Sequence, residues 1–339
     1  MATDLSLYAV DKFYPIRIAH PNYGVLDGLP YLAVCGAAVY LLPRIGQQVA
    51  SSAWRYAMLW GFSVVILLSF GGIHGGFVGG NLGIASSVHH LHDASINATV
   101  AETFATHTDR VAGLIEPGYQ APHSTSHPAA SVVYWQLLIG SASPLGLSVV
   151  NVCIFALGLP VMLWALRRWF DDVTALQGAL ACLLVPALLV YGRSDDAVFY
   201  ALVAMTMAVS WVALDEGRYA LSAAAGCLLA LAASLSYGAV VLLPAMYSFN
   251  TDVRTGQLWG YLRRALPHAA VVVAVVALAV VGQAWLTGFH LLDGFLASVQ
   301  KSSGTTMVAI LSRGDYARAL NERVMAISDF LIFAGPVLL

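Results

Sequence analysis

Seven of the ten histidines in this 339-residue chain lie between residues 74 and 130, in the one long polar stretch of an otherwise apolar sequence. The same stretch carries the acids Asp93, Glu102, Asp109 and Glu116. Imidazoles exchange protons near neutral pH and ligate transition metals, and carboxylates take protons from attacking nucleophiles. These residue types therefore predict proton transfer or metal binding. The histidines are His74, His89, His90, His92, His107, His123 and His127.

This polar stretch must lie in water. An ionisable side chain costs about 2.5–3.5 kcal/mol at the centre of a bilayer, so a segment with this many cannot be embedded in lipid. Long loops without repeats are usually functional. Residues 74–130 are therefore predicted to form an aqueous loop that holds the chemistry.

A metal site is one interpretation of the loop. His89, His90 and His92 lie beside Asp93. Together with His107, His123 and His127 they offer imidazole and carboxylate ligands for zinc or another divalent transition metal. The spacing is not that of a structural zinc finger, and the sequence contains no His-Glu-x-x-His motif. A metal-dependent membrane hydrolase or a metal-handling transporter subunit thus stays open as an alternative function.

Composition predicts a polytopic membrane protein. The chain is 59% hydrophobic and 10% charged, against about 25% charged residues in soluble domains. The net charge of −2 and the scattered basic residues exclude nucleic acid as a partner. The four cysteines lie in apolar runs without paired spacing, which predicts neither disulfides nor a cysteine metal site.

The apolar runs predict an all-α bundle with about nine spanning helices, since a span needs about 20 apolar residues. We divide the chain into N-terminal helices (1–73), an extracytoplasmic catalytic loop (74–140) and a transmembrane bundle (141–339). Because Phe330–Leu339 stops inside an apolar run, we expect the chain to continue. The spans are expected near 26–43, 54–73, 144–166, 173–191, 197–214, 219–235, 237–249, 269–287 and from 325.

Basic residues predict the topology. Positively charged short loops face the cytoplasm, and the basic groups share one side only if 219–249 crosses twice. The loop 74–130, the turn 193–196 and the loop 288–324 then share the extracytoplasmic side. Ser131–Gly140 is apolar but too short to span, so it is expected to lie along the membrane interface. The basic groups are Arg44 with Arg55, Arg167 with Arg168, Arg218, and Arg254 with Arg263 and Arg264.

The turn His123-Ser-Thr-Ser-His127-Pro128, followed by this apolar stretch and a helix ending in Arg-Arg, resembles the GT-C superfamily of integral-membrane glycosyltransferases. The likeness is to the prokaryotic branch of protein O-mannosyltransferases and the lipid A aminoarabinose transferase. That branch carries a Thr-His-Pro-Pro-Gly-like turn, which Ser126 and Ala129-Ala130 alter here. Three further segments are similar in order: 184–199, 220–238 and 313–336.

The resemblance implies a GT-C-like bundle that transfers a sugar from a polyprenyl-phosphate donor to an extracytoplasmic acceptor. An early loop carboxylate would act as base, for which Asp93 is best placed and Asp109 is second. No other cofactor is firmly predicted. The resemblance also implies roles at the loop turn and beside the donor phosphate. His123 and His127 are expected at the loop turn of the catalytic site, and Arg110, Arg313 and Arg318 are candidates for the phosphate. Asp195, Asp196 and Tyr316 are further expected substrate contacts.

The expected location is a prokaryotic plasma membrane, with membrane lipid as a partner. A third functional class also stays open, because Ala129-Ala130 depart from the family turn. The chain would then be a non-catalytic subunit that associates with other membrane proteins.

Overall fold

The computed structural model describes residues 52–75, 94–95, 98–115, 127–139, 144–183, 195–241 and 258–302, with a few isolated positions besides. Within these ranges the protein is helical and contains no strand. The helices are α1 (Ser52–Gly75), α2 (Val100–Val111), α3 (Ala129–Ile139), α4 (Pro144–Leu166), α5 (Asp172–Leu183), α6 (Asp195–Glu216), α7 (Tyr219–Leu235), a 3₁₀ turn (Tyr237–Val241), α8 (Leu258–Thr287) and α9 (Leu291–Ser302).

Three of the described helices are long and apolar enough to cross a membrane, namely α4, α6 and α8. Their apolar windows are Val149–Leu166, Ala197–Glu216 and Trp259–Thr287. The all-α prediction is confirmed for the described residues. The nine spans and the GT-C-like bundle stay predictions.

The core forms where α1, α4, α5 and α6 pack together. Leu59 and Ile66 of α1 meet Phe155 of α4 and Leu180 of α5 in one buried cluster. Gly158 helps α4 to approach α6, because a Cβ there would lie 3.4 Å from the Cα of Ala201. Small residues at such contacts let apolar helices pack closely.

Helices α6 and α7 form an antiparallel hairpin. Gly217 joins them with a φ of 66°, a left-handed conformation that costs glycine little. Helix α8 then runs parallel to α7. Ser222 at the start of α7 meets His268 at 2.7 Å, and Gly226 one turn later faces Val272 and Val275. Leu235, at the end of α7, and Leu258, at the start of α8, therefore lie toward opposite ends of this helix pair. The double crossing of 219–249 stays a prediction, because most of 242–257 lies outside the described residues.

Ion pairs gather at one end of the bundle. Asp172 pairs with Arg55 and with Arg167, whose Nε is 2.7 Å away. Glu216 pairs with Arg168 at 2.7 Å and with Arg218 at 3.1 Å. We call this end, defined by the four arginines, the arginine end. The arginine end therefore contains residues from three of the basic groups that the sequence assigned to the cytoplasmic side.

The structure corrects two element boundaries. Helix α8 begins at Leu258 rather than near residue 269, so Arg263 and Arg264 lie within a helix and not in a loop. Pro267 is part of that helix, as proline sometimes is in membrane helices. The loop 288–324 contains a further helix, α9, that the sequence analysis missed. The predicted span 237–249 begins with the 3₁₀ turn Tyr237–Val241, and most of the rest of it lies outside the described residues.

Candidate functional site

The opposite end of the bundle is built on α2. Thr99 caps this helix, because its hydroxyl accepts a 3.1 Å hydrogen bond from the Glu102 amide. The Glu102 carboxylate in turn accepts from the Ala98 amide at 2.9 Å. These two bonds are close to the capping box that Thr-x-x-Glu sequences favour at helix starts, with the carboxylate on the amide before the cap residue. Glu102 therefore helps to begin the helix.

His107 is buried in the middle of this end. Its Nε2 lies 3.0 Å from the carbonyl oxygen of His127. A carbonyl can only accept, so Nε2 carries the hydrogen and donates it. Burial is the main cause that lowers the pKa of His107 to about 4, and the charge of Arg110 lowers it further, while the bond to His127 opposes the shift. His107 is therefore a neutral imidazole at neutral pH.

His127 ties the His-Pro turn to α7. Its Nδ1 donates to the carbonyl oxygen of Leu235 at 2.9 Å, so two segments far apart in sequence are joined. Leu235 is the last residue of α7. The final carbonyls of a helix lack helical partners, and basic side chains often satisfy them. His127 therefore fixes the start of the segment that leads into α3.

Helix α3 packs beneath α2. Thr103 donates a 2.9 Å hydrogen bond to Gln136. Tyr134 donates to Asn151 of α4, and Trp135 is fully buried beside Ala94 and Leu147. These polar and apolar contacts hold α3 between the loop helix and the long helices. Whether α3 lies at a membrane interface stays a prediction.

Phe289, in the segment directly after α8, packs at the same end of the bundle as His107. Its ring meets the ring of His107 edge-on at 5.8 Å and that of Phe104 at 6.1 Å. Phe289 is itself buried. We call this end the histidine end, defined by His107, His127, Leu235 and Phe289. Helix α9 follows directly and packs on α2.

The structure separates the predicted site residues into three groups. Asp109 is exposed on α2, whereas its neighbour Arg110 is buried. Asp195 and Asp196 begin α6 at the histidine end, where Val198 joins the cluster against which Tyr134 packs. The remaining candidates lie outside the described residues: Asp93, His123, Arg313, Tyr316, Arg318, His89, His90 and His92.

His107 was expected only as one of the loop histidines that could transfer protons or bind metal, and Phe289 was given no role. Both lie at this end of the bundle. A pattern in α2 could have identified His107. Thr103, His107 and Arg110 follow the spacing of one helix face, and all three are buried. Phe289 carried no comparable signal, because its burial depends on a helix far away in the sequence.

Metal ligands do not converge within the described part of the chain, where no group of three His, Cys, Asp or Glu side chains is close enough to hold an ion. The cluster at His89–His92 is outside that part, so the metal alternative stays a prediction.

The histidine end thus combines a neutral buried imidazole, a buried guanidinium at Arg110 and an exposed carboxylate at Asp109 on one short helix. A carboxylate can accept a proton, and a guanidinium can bind a phosphate with two parallel hydrogen bonds. In comparisons with known proteins, no family model, curated protein or solved structure matches this chain.

Proposed function

We propose that the protein is a membrane glycosyltransferase that moves a sugar from a polyprenyl-phosphate donor to an acceptor at the histidine end. One observation supports this proposal most. The loop helix α2, the His127 turn and the segment after α8 meet at the same end of the bundle, opposite the arginine end. These segments were expected to share the extracytoplasmic face and to form the catalytic compartment.

The reaction needs a base and a stabilised leaving group. The acceptor hydroxyl gives its proton to a carboxylate while its oxygen bonds to the anomeric carbon. The bond between that carbon and the phosphate oxygen breaks, and its electron pair leaves with polyprenyl phosphate. Fixed cationic donors stabilise the charge that develops on the phosphate.

In this proposal Asp93 is the base, with Asp109 as the second candidate. Arg110 serves the phosphate, because a guanidinium stays charged when it is buried. His127 holds the turn through its bond to Leu235. Asp195, Asp196, Arg313, Tyr316 and Arg318 are the further proposed substrate contacts.

The donor chain would lie along α8. Almost none of the apolar window of this helix is buried within the protein, and Val273, Leu278 and Val281 are exposed on it. Such a surface suits acyl or isoprenoid chains. A lipid bound there would present its phosphate near one end of the helix.

Asp93→Asn is the variant that tests the proposal. The purified protein is supplied with a polyprenyl-phosphate sugar, and glycosyl transfer to a membrane extract is measured. We expect turnover to fall by about 10²–10⁴, the usual size of an acid–base contribution. Asp215→Asn, exposed at the arginine end, is the matched control and should keep full turnover.

Two results would contradict the proposal. Transfer from a soluble nucleotide sugar alone would rule out the lipid donor. Bound metal at the His89–His92 cluster, lost in His90→Ala together with function, would favour the metal alternative, provided that Asp93→Asn had no effect. If Asp109→Asn shows the large loss and Asp93→Asn does not, the glycosyltransferase proposal stands and the base is reassigned.

A further inference from the structure

Helix α9 presents apolar residues on two opposite faces. Gly294, Ala297 and Ser298 are buried on one face. Leu292, Phe295 and Leu296 follow the same helical spacing on the other face and are exposed, with Leu292 at 65% and Leu296 at 48%. A helix that served only to cover α2 would carry polar residues on its outer side. The outer face of α9 therefore needs an apolar partner.

The inner face of α9 is fixed by close contacts. A Cβ at Gly294 would lie 2.6 Å from the Tyr237 hydroxyl oxygen and 2.9 Å from the Phe289 ring, so only glycine allows this approach. At the edge between the two faces, the ring of the partly exposed Phe295 meets that of Tyr237 at 5.6 Å. These contacts set the rotation of the helix. Leu292 and Leu296 consequently point away from the protein.

The position of α9 identifies its partner. It begins directly after α8, one of the three membrane-length helices, and the turn between them uses Gly288 with a φ of 71°. Trp285 and Leu286 in the last turn of α8 are exposed at 84% and 74%. Tryptophan near the end of a spanning helix favours the depth of the lipid headgroups. The exposed apolar residues of α9 thus follow within a few residues of the exposed apolar residues at the end of α8.

We propose that α9 lies in the membrane interface, with Leu292 and Leu296 inserted at the boundary between headgroups and acyl chains and Phe295 at the edge of this face, against Tyr237. Helices of this kind carry apolar residues on the lipid side and bind in the plane of the surface. The exposed Asp293 lies between the inner and outer faces, where it reaches the headgroups and water. Lipid on one side and Phe289 on the other then hold α9 against α2.

Spin labels test this proposal in the full-length protein. The four native cysteines are first replaced, and a nitroxide is attached at Leu292→Cys, Asp293→Cys or Leu296→Cys. The protein is reconstituted in vesicles of phosphatidylcholine and phosphatidylglycerol. Collisions with oxygen, which concentrates in lipid, are compared with collisions with a water-soluble nickel chelate. Leu278→Cys in α8 gives the lipid reference, and Ala112→Cys after α2 gives the water reference.

We expect the ratio of oxygen to nickel collisions to be severalfold higher at positions 292 and 296 than at 293, approaching the reference at 278. Ratios at 292 and 296 equal to the water reference would overturn the proposal. Low collision rates with both reagents would also overturn it, since they indicate that a protein surface covers the face. If one labelled variant fails to fold, as judged by gel filtration, the other reports on the same face one turn away.

Discussion

At the scale of single residues, His107 differs from an ordinary loop histidine because it is almost completely enclosed. Protonation would place a charge among Phe289, Phe104 and the backbone of the His127 turn. The unfolded chain has no such restriction and takes the proton near pH 6.5. Acid therefore favours the unfolded state, and the folded protein is most stable where the imidazole is neutral.

We predict that the free energy of unfolding falls by about 2 kcal/mol between pH 7.5 and pH 5 because of this group. The folded pKa of about 4 lies below the unfolded value, so the loss begins near the unfolded value and is complete below the folded one. Chemical unfolding in detergent at several pH values measures it. In His107→Gln, whose amide replaces the Nε2 donor without titrating, the loss over this range should be smaller by about 2 kcal/mol than in the unchanged protein.

At the arginine end, acid lowers the free energy of unfolding only at a lower pH, through Asp172. Partial burial alone would raise the pKa of Asp172, but the guanidiniums of Arg55 and Arg167 outweigh it and hold this pKa below its usual value. That contribution to stability is present above about pH 4 and is lost as the pH falls further. A loss between pH 7.5 and 5 that is as large in His107→Gln as in the unchanged protein would contradict the assignment to His107.

At the scale of elements, the close packing of α7 against α8, which we call the seam, depends on Gly226. A Cβ at this position would lie 2.8 Å from the Cβ of Val275 and 3.1 Å from the carbonyl oxygen of Val272. The backbone carbonyl cannot move without displacing its helix. The two helices approach this closely because residue 226 has no side chain.

We predict that Gly226→Ala lowers the free energy of unfolding by about 1–3 kcal/mol, the usual cost of overpacking. Thermal unfolding in detergent measures the change. Gly282→Ala in α8 is the matched control, since nothing lies within 4 Å of its Cβ. This control should be neutral or stabilising by up to about 1 kcal/mol through helix propensity. Equal effects at the two positions would show that the seam does not depend on Gly226.

Sequence patterns predicted the long elements better than the short ones. The helices at Ser52–Gly75, Pro144–Leu166 and Asp195–Glu216 agree with the predicted spans to within a few residues, because long apolar runs leave few alternatives. The start of α8 and the presence of α9 were missed. Their amphipathic segments resemble loops in hydropathy, and their helical state depends on packing against Tyr219, Tyr237 and α2.

The candidate site was predicted less well for a related reason. Ionisable residues can be located in a sequence, which is how Asp109, Arg110 and His127 were selected. The partners of His127 are backbone atoms of a distant helix, and the enclosure of His107 comes from Phe289. Neither contact leaves a local pattern, because both arise only when α7 and α8 bring their ends together.

At the scale of the whole molecule, the two ends of the bundle differ in chemistry. The arginine end carries paired charges, and the histidine end carries the loop helix and the aromatic ring of Phe289. Short basic segments stay on the cytoplasmic side of a membrane. The two ends should therefore lie on opposite sides.

We predict that Ala112→Cys at the histidine end and Phe170→Cys at the arginine end react with a membrane-impermeant maleimide from opposite sides. Both positions are exposed. Sealed vesicles of known orientation, labelled before and after permeabilisation, give the measurement. Labelling of both cysteines from the same side would exclude the proposed orientation of the bundle.

The bond from His127 to Leu235 also has a consequence for biosynthesis. In a continued α-helix the Ala239 amide would donate to the Leu235 carbonyl, but here it donates to the Ser236 carbonyl. The imidazole of His127 donates to the Leu235 carbonyl instead. His127 and Leu235 are 108 positions apart in the sequence. A ribosome takes about 5–20 s to synthesise a segment of that length. During that interval the His-Pro turn has been made but its acceptor has not. His127 cannot form this hydrogen bond until α7 has been made, so the contact between the turn and α7 can form only after that interval.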